Sequence, residues 1–295
     1  MIKPNVFQHA FKITLRQWRM AALVYFFQGC LALTLGMQVY SVLQSSIGNS
    51  LEINKLLSQF NHTVFTDFLK IHGASITPLI GQLRWLIPAW LVFSVFINAG
   101  LMYGVAFRGA WEQKSVRIFW EGGSRYFFPF LKISLVFLLL ALTLTVLLWF
   151  PMALFLEPSL EYFSAEKYTV WLVLGLLSVY LIGLGIIFVW SVLSRLVKIQ
   201  TGNRVIRSVR IGLQIFGENK LRLLILLLAF LAIQTGLVLL YWLLEAGIGM
   251  TTPLGILVLF GVQQAFVFFR IQIRQVMFAS LSFLVTPPTS QTVGF

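Results

Sequence analysis

The chain has 295 residues, 59% hydrophobic and 11% charged, with a formal net charge of +13. Soluble domains carry about 25% charged residues, so a water-soluble fold is excluded, whereas a polytopic membrane protein can leave apolar surface to lipid. Nucleic acid is not the expected partner either: the Lys and Arg residues stand beside apolar runs, where they face anionic headgroups and set topology, and no aromatic-basic motif accompanies them.

Val6 to Arg19 opens the chain as an amphipathic stretch. Phe7, Ala10, Phe11, Thr14, Leu15 and Trp18 fall on one helical face, with Gln8, His9, Lys12, Arg16 and Arg19 opposite. The first span is expected over Ala21 to Leu43, enough to cross about 30 Å of hydrocarbon. Its length, and the lack of a small-residue cleavage site, mark it as a retained span rather than a signal peptide. Ser45 to Trp85 is the longest polar segment. Ile53, Leu56, Leu57, Phe60, Val64, Phe68 and Ile71 share a face there, which predicts a helix on the outer membrane surface or capping the bundle. Span two is expected over Leu86 to Phe107, with Pro88 in its first turn.

Arg108 to Lys132 repeats the amphipathic pattern. Val116, Phe119, Trp120, Gly123, Phe127 and Phe130 are apolar, and Arg117, Glu121, Ser124 and Arg125 oppose them. Span three follows over Ile133 to Leu156, then an acidic link with Glu157, Glu161 and Glu166, and span four over Tyr168 to Ser194. Thr201-Gly202-Asn203 signals a turn. The third amphipathic stretch then begins with Arg204, Arg207 and Arg210, and carries an apolar stripe at Val205, Val209, Gly212, Leu213 and Phe216. Span five is expected over Leu223 to Leu244 and span six over Pro253 to Phe269. The last helix continues through Arg270 and Arg274 to about Leu284, before Pro287-Pro288.

The pattern predicts an all-α fold of six transmembrane helices in three elbow-plus-hairpin units within a single membrane domain. Each elbow is a surface helix turning into a span. Unit one covers 6–107 with the outer insertion 45–85, unit two covers 116–198, unit three covers 204–284, and 285–295 is a tail. Of the 22 Lys and Arg residues, only Lys55, Lys70, Arg84 and Lys167 fall on the side opposite the elbows. The positive-inside rule therefore places both termini in the cytoplasm. Arg16, Arg19, Arg117, Arg125, Arg204, Arg207 and Arg210 are the expected contacts with anionic lipid of the cytoplasmic leaflet or with a protein partner.

Within the spans the most polar residues are amides, namely Gln28, Gln38, Asn98, Gln234, Gln263 and Gln264. No carboxylate marks a proton or cation path. Asn98 and the small-xxx-small pair Gly100 and Gly104 are expected to serve helix packing. His9, His62 and His72 lie outside the spans, and Cys30 is the only cysteine. No metal-ligand spacing, phosphate loop or nucleophile motif occurs, so neither a metal nor another cofactor is expected.

Glu121-Gly122-Gly123-Ser124-Arg125-Tyr126-Phe127 and Gly212-Leu213-Gln214-Ile215-Phe216-Gly217-Glu218-Asn219-Lys220, each preceding a span, carry a resemblance. The organisation resembles the six-span membrane domain fused to some bacterial glycerophosphodiester phosphodiesterases, and related uncharacterised integral membrane families. The Ser45 to Trp85 insertion departs from that pattern, and no phosphodiesterase domain is present to carry catalytic residues. The resemblance implies a non-catalytic membrane module. The function expected is a non-enzymatic structural, lipid-interacting or complex-assembly subunit of a bacterial inner membrane. The alternative is a permease subunit for a hydrophobic substrate, docking a separate cytoplasmic ATPase through Arg108 to Lys132.

Overall fold

The computed structural model describes residues 4–47, 62–106, 115–162, 166–248 and 252–285. Among these residues there is no strand. The helices are α1 (Pro4–Arg16), α2 (Trp18–Ile47), α3 (His62–Ala106), α4 (Ser115–Tyr162), α5 (Glu166–Thr201), α6 (Val205–Glu218), α7 (Lys220–Ile248) and α8 (Pro253–Val285). Six segments are long and apolar enough to cross a membrane: Trp18–Ser41, Arg84–Ala106, Ser115–Leu154, Lys167–Thr201, Lys220–Ile248 and Pro253–Val285. Helices satisfy their own backbone groups in hydrocarbon, which is why apolar runs of this length take this form. The chain is an all-α, multi-pass integral membrane protein.

Two of the three expected elbows are breaks in the helix. At Gln17 the backbone tightens, with Gln17 N–H donating to Thr14 O at 3.0 Å and Met20 N–H to Gln17 O at 2.9 Å. The Gln17 side chain meanwhile donates Nε2–H to Gly104 O at 3.0 Å. At Asn219, between α6 and α7, the side-chain Nδ2–H donates to Ile215 O at 3.2 Å, doubling the backbone bond to the same carbonyl. The middle elbow is corrected: Ser115–Tyr162 is one helix of 48 residues. No amide side chain interrupts it, and Gly122 and Gly123 pack closely against Tyr103 and Phe96. At 1.5 Å per residue, these 48 residues reach about 72 Å, well beyond the hydrocarbon thickness.

The outer insertion is also corrected. Residues 48–61 lie outside the described residues, but His62–Ala106 is a single helix of 45 residues that runs straight into span two. The segment 62–71 is thus a helical extension of that span rather than a separate surface helix. Pro88 stands well inside α3 rather than in a first turn. Proline there removes one backbone hydrogen bond, and the helix continues past it.

By contacts the chain forms two compact units, Ala22–Ser94 and Met1–Ala21 with Val95–Phe295. In the first, Phe27 and Phe93 meet edge to face, ring centroids 5.2 Å apart. In the second, buried residues gather where α3, α5 and α8 end and α4 and α7 begin. These are Ala99 to Val105, Phe119, Phe130, Ile133, most of Val192 to Val197, Leu223, Phe230, and most of Ile271 to Leu281. Most Lys and Arg residues of this unit cluster at the same end, which is called the basic end below. Toward the other end, Leu139, Leu147, Leu154, Trp171, Leu181, Leu239, Trp242 and Leu257 are exposed and offer their apolar surface to lipid.

α1 packs on α8, where Ala10 joins Val276 and Ala279 in a cluster with Val105 and Phe230. The buried face is Ala10, Ile13, Thr14 and Gln17, while Phe11, Leu15 and Trp18 are exposed. The apolar stripe expected there is therefore split: Ala10 and Thr14 pack inward, and Phe11, Leu15 and Trp18 are left as an outward apolar surface.

Candidate functional site

The basic end is built on a hairpin of α4 and α5. Tyr126 OH donates to Ile199 O at 3.5 Å, and Arg195 Nη2–H donates to Ser134 Oγ at 3.0 Å. The Phe137 and Trp190 rings meet at 5.0 Å, and the Thr145 and Tyr180 hydroxyls at 3.0 Å. Ascending positions on one helix meet descending positions on the other, so the pair is antiparallel. This register sets Lys132 and Lys198 near one level, where the uncharged run Ile133 to Leu156 begins.

α5 closes at Gly202, whose φ of +65° is the left-handed conformation that glycine adopts without steric cost. The Lys198 ammonium donates to Gly202 O at 3.1 Å and also to Asn203 O, which fixes the turn. α6 then packs on α5 through its small residues. Ser208 and Gly212 are buried, and a Cβ on Gly212 would stand 2.7 Å from Ser194 Oγ. Trp190 Nε1–H donates to Val209 O at 2.9 Å across the same contact. The side of α6 turned away from α5 is left with Arg207, Arg210 and Leu213 exposed, and with Ile206 at 80% exposure.

Arg204, Arg207 and Arg210, expected from the sequence to act together, are all exposed on or beside α6. Arg16 and Arg19 are exposed where α1 passes into α2. Arg117 and Arg125 are exposed on α4, with Arg125 lying 5.8 Å from the Tyr126 ring centroid. The structure thus distributes the seven arginines over three places at the basic end rather than gathering them into one cluster.

Gly100 and Gly104 stand in the interior of their unit. Gly100 faces Phe119, and Gly104 faces Met20. Asn98 does more than pack: its Oδ1 accepts a hydrogen bond from Arg274 Nη2–H.

Two arginines that the sequence offers only as members of a charge count prove to be half-buried inside the bundle. Arg195 bonds Ser134 and lies 5.8 Å from the Phe130 ring centroid. Arg274 bonds Asn98 and lies 5.6 Å from the Phe278 ring centroid. No carboxylate pairs with either among the described residues. Among the described residues, Arg195 Nε and both side-chain amide atoms of the buried Gln275 have no hydrogen-bond partner. The signal was the position of Arg274 and Gln275 on a helix face that continues an apolar stripe. Which helices it would meet could not be read from it.

Among the described residues no three His, Cys, Asp or Glu side chains converge as metal ligands. Arginine, lysine and amide groups at the edge of an apolar bundle can bind anions and hold helices in register. Set against protein-family models, curated proteins and solved structures, the chain finds no match in any of the three.

Proposed function

We propose that the protein is a non-enzymatic membrane subunit of a bacterial inner membrane that holds anionic lipid at its basic end. Both termini lie in the cytoplasm, and the same surface is open to protein partners in a complex. The observation that carries this reading is the seating of α6. Small residues fix one side of it to α5, while Arg207 and Arg210 stand exposed beside Ile206 and Leu213. Cations beside large apolar side chains suit the boundary between headgroups and acyl chains. Binding, rather than bond-making, is what this set of side chains supplies.

Lipids that copurify with the full-length protein, quantified by mass spectrometry, test the reading. The wild type should enrich anionic over zwitterionic lipid. The Arg207→Glu/Arg210→Glu variant should lower that enrichment on the order of tenfold, since each cation near an anionic surface contributes about 1 kcal/mol. An unchanged lipid ratio would count against the proposal.

Orientation has its own check. Cys30 is exposed, so a Cys30→Ser background is needed. Single cysteines replacing the exposed Lys167 or Gly247 should react with an impermeant thiol reagent added from outside. Cysteines replacing the exposed Ser124 or Glu218 should be protected until the membrane is opened. The reverse pattern would invert the topology.

A further inference from the structure

Between α4, the end of α5 and the start of α6 lies a groove of about 620 Å³, lined by Phe128, Pro129, Lys132, Lys198, Arg204, Val205 and Ile206. Three cations from three different elements meet in it, and none of the lining residues is acidic. α5 carries no Asp or Glu after Glu166, and α6 carries only Glu218 at its far end, so no neighbouring carboxylate on those helices neutralises the cations. Lys198 is committed to the turn. The Lys132 and Arg204 side chains are exposed and have no hydrogen-bond or ion-pair partner among the described residues. Arg204 precedes α6 and makes no side-chain cap, so the first-turn N–H groups of α6 add partial positive charge at this end.

The remaining walls are apolar and open, with Phe128 at 68% and Ile206 at 80% exposure. A free anion gains nothing from such walls, whereas a chain attached to the anion does. The level is also right, because Lys132 is the last charged residue before the uncharged run Ile133 to Leu156.

We propose that this groove seats one amphiphile with a net-anionic phosphate headgroup, its phosphate between Lys132 and Arg204 and its acyl chain along Phe128 and Ile206. The inference rests on the lipid reading above and narrows it to a defined site. The volume lies within the range of about 300–1,000 Å³ typical of ligand pockets. It would hold a headgroup and the first part of a chain, leaving the rest in the bilayer.

The test is native mass spectrometry of the full-length protein in detergent, titrated with dioctanoyl phosphatidylglycerol, dioctanoyl phosphatidylcholine or inorganic phosphate. One phosphatidylglycerol should bind at least about tenfold more tightly than phosphatidylcholine. Lys132→Gln/Arg204→Gln should abolish that preference, and the charge-conserving Lys132→Arg/Arg204→Lys should keep it. Phe128→Ser/Ile206→Ser should weaken the lipid while leaving the preference for a phosphate anion. Competition by inorganic phosphate at concentrations equal to the lipid would overturn the amphiphile in favour of a soluble phosphate. A preference that survives Lys132→Gln/Arg204→Gln but is lost in Arg207→Glu/Arg210→Glu would overturn the groove and leave the lipid reading standing. No preference in the wild type would overturn both.

Discussion

Gly122→Ala is expected to destabilise the folded chain by about 2 kcal/mol, the upper end of the range for overpacking less what alanine's helix propensity returns. A Cβ there would collide with Tyr103 Cβ and stand 2.6 Å from Tyr103 Cδ1. Tyr103 Cβ is fixed to its own backbone, so no rotamer relieves the clash and the helices must separate. Gly100 lies on the opposing helix, and a Cβ on it would stand 2.7 Å from the Phe119 carbonyl oxygen, which is equally immovable.

Gly104 offers the contrast. Its added Cβ meets only the Met20 Sδ and Cε, at 2.7 Å, the far end of a flexible side chain. Alanine's better helix propensity returns about 1 kcal/mol at each position. Gly104→Ala should therefore be close to neutral, while Gly100→Ala and Gly122→Ala are not. The two costly substitutions should add to less than their sum, because one separation of α3 from α4 relieves both. Thermal unfolding of the four proteins in one detergent ranks them. A neutral Gly122→Ala beside a damaging Gly104→Ala would show that the close approach of α3 and α4 does not set the packing.

Asn98→Leu carries the second large effect, a loss of about 3 kcal/mol. It strands the Arg274 guanidinium inside the bundle, and a charged group left without its partner there bears its full desolvation cost. Among the described residues no carboxylate pairs with Arg274 to offset that cost. Adding Arg274→Met to Asn98→Leu should recover most of the lost stability, because both polar partners are then gone. Asn98→Asp should match or exceed the wild type, since it supplies the missing negative charge in a charge-assisted bond. A double-mutant cycle measures this directly, and additive losses would mean that Asn98 and Arg274 are not coupled.

The six spans were legible because lipid sets a length, and an apolar run that meets it is visible without knowing its neighbours. The breaks were half legible. Basic amphipathic stretches precede spans one, three and five alike, yet only those ending at Gln17 and Asn219 interrupt the helix. The difference is a side-chain amide with a carbonyl to reach, and for Gln17 that carbonyl belongs to Gly104, far away in sequence. The stripe on α1 misled for a related reason. Phe11, Leu15 and Trp18 have the spacing of a buried face, but in a membrane an apolar side chain gains as much from lipid as from protein. Periodicity alone could not tell inward from outward. Arg195 and Arg274 were hidden by their type. Beside a span an arginine ordinarily sets topology, and only the pairing of α5 with α4 and of α8 with α3 turns these two inward. The groove was invisible because its three cations come from two helices and the turn before a third, brought together by the α4–α5 register and the turn at Gly202.

The concentration of buried residues at the basic end divides the molecule by solvent dependence. There, side chains hold one another, and the cohesion travels with the protein into detergent. Beyond Phe137 on α4 and before Val189 on α5, most large apolar side chains point outward, and their neighbours are acyl chains. How those helices stand together is then a property of the surrounding bilayer as much as of the sequence. Changes in lipid thickness or lateral pressure would be felt first in that half, against a basic end that stays fixed as the fulcrum.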